Sequence, residues 1–307
     1  MRTRLLVVVV AAALACGLAA CGSAAGSAGG PLKVVATTSF LRDIAQNVAG
    51  SRFTVGQLIP NGVDPHEFDP TPTEITAAVR SDLLIMNGAN LEGTLAATLR
   101  NAGGGHVTVV ASAGLTPRVP KPGEAAPAHA GEPDPHFWLD PILVIGYVQN
   151  IRDAFVKADA SHAATYQANA AAYVTKLRVL DAWIRAQVAT IPPAARLLVM
   201  DHLSHGYFAD RYGFRIVGAV IPSVSTGDIV GAQQLADLVK TIEATGVKAI
   251  FVELGENPDL AKQIAAEAHV KVVTDLLDHS LTAANGPAPT YLAMMRYDVR
   301  LIVGALR

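Results

Sequence analysis

The sequence contains little charge and almost no cysteine. Lys, Arg, Asp and Glu make up 16% of its 307 residues, the formal net charge is −2, and Lys and Arg form no cluster. A basic nucleic-acid-binding surface is therefore not expected. The two cysteines, Cys16 and Cys21, both lie near the N-terminus, so the rest of the chain is expected to have neither a disulfide nor a thiolate metal ligand. Because 51% of the residues are hydrophobic, the chain can bury a large core.

The sequence also lacks the short motifs of several enzyme classes. It contains no HExxH pair of a zinc protease, no GxSxG nucleophile turn and no GxxxxGK[ST] phosphate-binding loop. Metalloprotease, serine hydrolase and P-loop nucleotidase chemistry are therefore not supported by any motif.

The N-terminus has the pattern of an export signal. "MRTR" is followed by sixteen mostly apolar residues, "LLVVVVAAALACGLAA", which is short for a membrane-spanning helix of roughly 20 residues. We interpret residues 1–20 as a signal peptide. "LAAC", at Leu18–Cys21, resembles a bacterial lipobox, which would make Cys21 the lipidated residue and residues 21–32 a flexible tether. The alternative is an ordinary signal peptide with a chance cysteine.

Beyond the tether, apolar strand-like runs alternate with amphipathic segments, and this predicts an α/β fold. We expect two lobes, residues 33–158 and 194–307, each a mainly parallel four-stranded sheet flanked by helices. One long helix within residues 159–193 is expected to join them, with an apolar stripe from Tyr166 to Ile184. Residues 116–133 are rich in Pro, Gly and Ala and are interpreted as a mobile surface loop.

Histidines occur where predicted strands end. His66 follows "TVGQLIP" and His202 follows "RLLVM", while His136 lies in "PDPHFWLDP". Ligands of parallel sheets collect beyond the carboxyl ends of the strands, so these imidazoles are candidate metal ligands. An Asp-Pro pair precedes both His66 and His136. The proline restricts the backbone before the histidine, and Asp64 and Asp134 are candidates to accept the second imidazole N–H. The alternative is two ordinary Asp-Pro turns.

Four motifs together resemble a known family. "DPHEFDPTPTE", "DPHFWLDP", "DHLSHGYFADRYG" and "GPAPTYLAMMRYD" are similar to segments of the zinc/manganese solute-binding proteins of bacterial ABC importers, and the likeness runs from about Lys33 to the C-terminus. The resemblance implies a monomeric, lipid-anchored receptor outside the cell membrane. Such a receptor would capture Zn(II) between its lobes, pass it to a permease and catalyse no reaction. The two-lobe pattern and the long linking helix lead us to expect that release requires only a small shift of the lobes.

The resemblance also implies the ligands. His66 and His136 match the family's first two metal histidines. His202 matches the third by its distance from the Tyr-Phe pair that follows it, with His205 as its rival. Three imidazoles and one carboxylate favour zinc over manganese, since manganese prefers more oxygen ligands.

The fourth implied ligand is an acid before the "TYLAMM" helix. Asp278 fits that place with one extra residue in the spacing, and Asp275 is its rival. His279 is interpreted as an outer neighbour of the site or as a solvated residue. Other histidines, among them His129 in the loop before His136, are assigned no metal role. The alternatives to a zinc receptor are a manganese receptor of the same family, a zinc-dependent hydrolase and a surface adhesin.

Overall fold

A computed structural model describes residues 30–128 and 131–307. The predicted signal peptide, Cys21 and most of the predicted tether lie outside the described residues, as does His129. Pro31–Arg307 form one compact unit. Within the described ranges, no helix combines the length and the apolar character needed to cross a membrane.

The strands form two four-stranded sheets in which every pair is parallel. Their bounds are β1 (Val34–Ala36), β2 (Val55–Gln57), β3 (Leu83–Met86) and β4 (Val107–Val110) in the first sheet, and β5 (Leu197–Met200), β6 (Arg215–Ala219), β7 (Ala249–Glu253) and β8 (Lys271–Leu276) in the second. The first sheet has the order β2-β1-β3-β4 and the second β6-β5-β7-β8. The two sheets therefore repeat one strand order, although the sequence shows no repeat.

Helices flank both sheets. Those of the first half are α1 (Ser39–Ala49), α2 (Pro72–Val79), α3 (Gly93–Ala102) and α4 (Val144–Ala158). After the connecting helix α5 (Ala163–Val188) come α6 (Gly206–Tyr212), α7 (Ala232–Thr245), α8 (Asp259–Glu267) and α9 (Tyr291–Leu306). The predicted class, α/β with two parallel four-stranded sheets and one long helix, is confirmed.

Local chemistry explains where several helices begin. Thr71 caps α2 by accepting the N–H of Glu74, whose carboxylate accepts the N–H of Thr71, and Pro72 occupies the first turn. Thr290 caps α9 in the same way, through the N–H of Ala293.

Helix α5 joins the two halves through its packing. It contacts α1 and α4 of the first half and α6 and α9 of the second. Its apolar stripe is buried as predicted, at Tyr166, Tyr173, Leu177, Leu180 and Ile184. The helix is 26 residues long, about 39 Å, because a short 3-10 turn precedes it and prolines follow it. Its stripe belongs to one hydrophobic core that continues through both halves.

The segment predicted as a mobile loop, residues 116–133, has partners in the second half. The N–H of Ala125 donates to the carbonyl of Ile216 at 3.0 Å, on the edge strand β6, and the N–H of Ala128 donates to the carbonyl of Pro222 at 2.8 Å. Arg118 forms an ion pair with Asp210 at 3.0 Å. The mobility of this segment stays a prediction, but its described part is fastened across to the second sheet and leads directly to His136.

Candidate metal centre

Four buried histidines converge where the two halves meet: His66, His136, His202 and His279. One candidate ligand atom from each lies within 4.8 Å of all the others, and the ring centroids of every pair are 5.1–5.8 Å apart. The Nε2 of His136 is 3.2 Å from that of His279 and 3.3 Å from that of His202. Nitrogens that surround a zinc ion tetrahedrally at about 2.05 Å are separated by about 3.3 Å. The spacing therefore suits a single ion held by several imidazoles.

Each histidine lies beyond the carboxyl end of a parallel strand. His66 lies in the loop after β2, His136 follows the long connection from β4, His202 comes two residues after β5, and His279 comes three residues after β8. The first pair belongs to one half and the second pair to the other. Because the carboxyl ends of parallel strands face the same edge of their sheet, both sheets present these loops to one cleft.

The two Asp-Pro-His segments share one backbone hydrogen bond. Oδ1 of Asp64 accepts the backbone N–H of His66 at 2.9 Å, and Oδ1 of Asp134 accepts that of His136 at 3.0 Å. Each aspartate thus closes a turn over the intervening proline, which already has a restricted backbone. This turn explains why the same three residues occur twice: it fixes the direction in which the imidazole leaves the chain.

Three of the imidazoles have a carboxylate within hydrogen-bond distance of Nδ1. Nδ1 of His136 is 2.9 Å from Asp134, and Nδ1 of His202 is 3.2 Å from Asp201. The third pair joins Nδ1 of His279 to Oε2 of Glu253 at 2.7 Å. A carboxylate that accepts the Nδ1 proton leaves the lone pair on Nε2, which is the atom that then binds a metal. The Nε2 of His66 is buried and has no hydrogen-bond partner among the described residues.

Burial dominates the electrostatics of the centre. It lowers the pKa of His66 and of His136 well below the usual range, and the neighbouring imidazoles lower both further. Burial also raises the pKa of Asp134 to about 7 and, together with the charge of Asp278, raises that of Glu253 well above its usual range. Neutral imidazoles are the form that binds metal. A divalent cation placed among them would lower the pKa of the buried acids.

His202 differs from these two histidines. Burial acts to lower its pKa, but the adjacent Asp201 carboxylate outweighs burial and raises it. Oδ2 of Asp201 also accepts the backbone N–H of Glu253 at 2.7 Å, which ties the end of β5 to the end of β7. One acid therefore positions a histidine and holds two strand ends together.

The structure brings three of the four predicted ligands together but places Asp278 elsewhere. Oδ2 of Asp278 accepts the hydroxyl of Ser204 at 2.8 Å and lies 3.2 Å from Nδ1 of His205. The interaction with His205 overcomes the effect of burial and lowers the pKa of Asp278 to about 2. The rival Asp275 is exposed and accepts the hydroxyl of Thr274, so neither acid belongs to the converging group.

The fourth member of the group is His279, which the sequence analysis gave no ligand role. Glu253 accepts both the backbone N–H and the ring N–H of His279, and Nε1 of Trp138 donates to the carbonyl of Asp278 at 2.6 Å. These contacts hold the His279 ring in the converging group, whereas Oδ2 of Asp278 is engaged with Ser204 and His205.

His205, the rival to His202, lies just before α6 and pairs with Asp278. It is absent from the group of four converging histidines. The structure therefore separates the two histidines of "DHLSH" into one that faces the cleft and one that binds a buried acid.

Comparison with known proteins identifies the family. Residues 34–305 match the family described as ZnuA, the periplasmic component A of a zinc-uptake complex. The chain belongs to this family. Several relatives are named metal ABC transporter substrate-binding lipoproteins, and the chain is accordingly a metal-binding component of an ABC transporter and not an enzyme.

Relatives within the family carry names with different metals. The chain is 32% identical to the manganese-binding lipoprotein MntA of Halalkalibacterium halodurans, over 98% of this chain and 97% of MntA. It is 33% identical to the iron-binding protein YfeA of Yersinia pestis, over 88% and 85% of the two chains. The structure of the periplasmic zinc-binding protein TroA from Treponema pallidum has a TM-score of 0.80 at 25% identity, covering 90% of this chain and 99% of TroA. These names differ in the metal, so the choice of metal for this chain depends on the ligands of its own centre.

Proposed function

We propose that the protein is a zinc receptor that binds one Zn(II) ion through His66, His136, His202 and His279 and delivers it to the permease of an ABC importer. The observation that carries this proposal is the convergence of four buried imidazoles from two halves of the molecule. Three of the four have a carboxylate on Nδ1, the arrangement expected of metal-binding histidines.

The ligand set favours zinc over manganese. Imidazole nitrogen suits Zn(II), whereas Mn(II) prefers carboxylate, carbonyl and water oxygens. The converging atoms belong to four imidazoles. The nearby acids Asp134, Asp201 and Glu253 each lie within hydrogen-bond distance of the Nδ1 of one histidine. Zinc is also commonly bound by four ligands in tetrahedral geometry. A closed set of four protein ligands leaves no open position for catalysis.

The surrounding acids supply the charge that a buried cation needs. Four neutral imidazoles contribute none, and burying an uncompensated divalent ion is costly. Asp134, Asp201 and Glu253 are all buried directly behind the histidines. They neutralise the cation from outside the ligand shell, so charge compensation does not require oxygen ligands.

Manganese is the second candidate, because several relatives carry it in their names. A competitive titration of the purified protein with Zn(II), Mn(II) and Fe(II) separates these possibilities. We expect one tightly bound Zn(II) per chain, displaced by neither competitor at equal concentration. His202→Ala should abolish tight binding, while His205→Ala should bind zinc close to wild type.

Two outcomes of this titration would overturn the proposal. Preferential binding of Mn(II) would support the manganese receptor instead. Equal zinc affinity in wild type and His202→Ala would show that the ion is held elsewhere.

We also propose that Cys21 carries the lipid that anchors the receptor outside the cell membrane, as the lipobox-like "LAAC" indicates. Cys21→Ala should move the protein from the membrane fraction to the soluble fraction of the producing cells. Retention of the variant in the membrane fraction would refute the anchor.

A further inference from the structure

A small cavity adjoins the candidate metal centre at His66. It has a volume of about 180 Å³, enough for several water molecules, and His66 lines it together with Asn90, Pro133 and Pro135. His66 is 8% exposed and its buried Nε2 has no hydrogen-bond partner within the described ranges. The cavity therefore adjoins one of the four imidazoles that converge in the centre.

Two glutamates make this cavity acidic. Glu67 is exposed, Glu132 is half-buried, and both line the cavity. Neither has an ion pair or hydrogen bond to another described residue, unlike the acids that support the histidines. The described residues that line the cavity include no Lys or Arg. Two carboxylates without a cationic partner among the described residues thus line the same cavity as His66.

The two halves of the molecule both contribute to the cavity wall. Val224 and Ser225 of the second half line it opposite Glu67 of the first. The segment closes tightly on the glutamate: a Cβ atom at Gly227 would lie only 2.3 Å from Oε1 of Glu67. Glycine at this position allows the Glu67 carboxylate to remain at the wall of the cavity.

We propose that this cavity is the access channel through which a hydrated divalent cation reaches the histidines, and that Glu67 and Glu132 draw it in electrostatically. This inference rests on the proposed function. Carboxylates that line a narrow opening raise the local concentration of cations and accelerate their association, and the effect weakens as salt increases. Because the two glutamates belong to the channel, they act more strongly on the ion in transit than on the bound ion.

The test measures the association rate of Zn(II) with the whole protein by stopped-flow tryptophan fluorescence. Trp138 is a suitable reporter, because its ring centroid is 5.1 Å from that of His136. Trp183→Phe removes the other tryptophan, so that the signal comes from one site. Wild type, Glu67→Gln/Glu132→Gln and a charge-matched control are compared at several ionic strengths.

The control is Glu243→Gln/Glu267→Gln, which removes the same charge from exposed positions on α7 and α8. We expect the channel variant to associate at least about fivefold more slowly than the control at low salt and to show a shallower dependence on ionic strength. A merely structural role of the glutamates would not change that dependence. The dissociation rate should fall as well, because the ion leaves by the same path.

The outcomes separate this inference from the proposed function. If the wild type fails to bind zinc at equilibrium, the proposed function is wrong. If the wild type binds zinc but the channel variant and the control associate at equal rates with equal salt dependence, the receptor function stands and the access channel is refuted.

Discussion

Replacing His279 tests the part of the centre that the structure, rather than the sequence, identifies. Its ring nitrogens lie 2.7 Å from Glu253 on one side and 3.2 Å from His136 on the other. Four ligands share a zinc-binding free energy of about 10–16 kcal/mol in structural sites, which is about 2.5–4 kcal/mol for each. Because about 1.4 kcal/mol corresponds to a factor of ten, losing one ligand should weaken zinc binding by roughly 100- to 1,000-fold.

The substitution should keep Glu253 paired, since an unpartnered buried carboxylate would destabilise the fold as well as the site. His279→Gln retains an amide that can donate to Glu253, so it is preferred to alanine. Asp278→Asn is the matched control at the neighbouring position. The Asp278 carboxylate bonds to Ser204 and His205, so this change should lower the melting temperature but weaken zinc binding less than about tenfold.

The assay is zinc titration against a chelator of known affinity, with the melting temperature of each metal-free variant measured in parallel. A four-histidine centre requires the larger loss of affinity in His279→Gln. If Asp278→Asn loses as much affinity or more, the carboxylate is the ligand, and the assignment of His279 is refuted. A third variant, His279→Asp, introduces an oxygen ligand and should raise manganese affinity relative to zinc.

Three further predictions follow from contacts around the centre. Glu253→Gln should weaken zinc binding by about 10- to 100-fold, because it removes the carboxylate from Nδ1 of His279, whereas Glu243→Gln should have no effect in the same titration. Thr226→Val should accelerate zinc release, measured by transfer to excess chelator, because it removes the hydroxyl that donates to Asp64 in the His66 turn. The control is Thr175→Val at an exposed position, and equal release rates in the two variants would refute a role of the Thr226 hydroxyl in retaining zinc. Leu177→Ala should reduce the free energy of unfolding by about 2–5 kcal/mol, because Leu177 is buried in the stripe of α5. Val179 lies on the same helix but is 57% exposed, so Val179→Ala should reduce it by less than about 0.5 kcal/mol. Similar losses for the two variants in chemical denaturation would contradict the role given to α5.

The converging histidines that the sequence could predict as candidate ligands are those set by local chemistry. His66 and His136 stand in Asp-Pro-His turns, and the hydrogen bond that closes each turn joins residues only two apart. His202 directly follows a buried strand and its own acid, Asp201. In each case a hydrogen bond to a neighbour in the chain helps to orient the histidine, so the local sequence was enough to select it as a candidate.

His279 could not be selected in this way, because distant residues determine its direction. Its ring is held by Glu253, 26 positions away, and the carbonyl before it is held by Trp138, 140 positions away. The sequence left Asp278 and Asp275 as the candidates and gave His279 no ligand role, whereas long-range contacts bring the His279 ring into the group of four histidines. Periodicity predicted the sheets and α5 because it is a local pattern, as is the Asp-Pro-His motif that pointed to His66. The partners of the 116–133 segment, on the edge of β6, are long-range and could not be predicted.

The continuous core limits how a bound ion can leave. Helix α5 and its buried stripe pack against both halves, so a wide opening would expose apolar surface at about 25 cal/mol per Å². By contrast, the His66 loop is held to the second half by a few polar contacts, among them the N–H of Gly62 to Oγ of Ser280 at 2.8 Å and the Thr226 hydroxyl to Asp64. Breaking such contacts costs less than separating a core, since water replaces the lost hydrogen bonds. Release should therefore begin with movement of the His66 loop, the same loop that borders the acidic cavity.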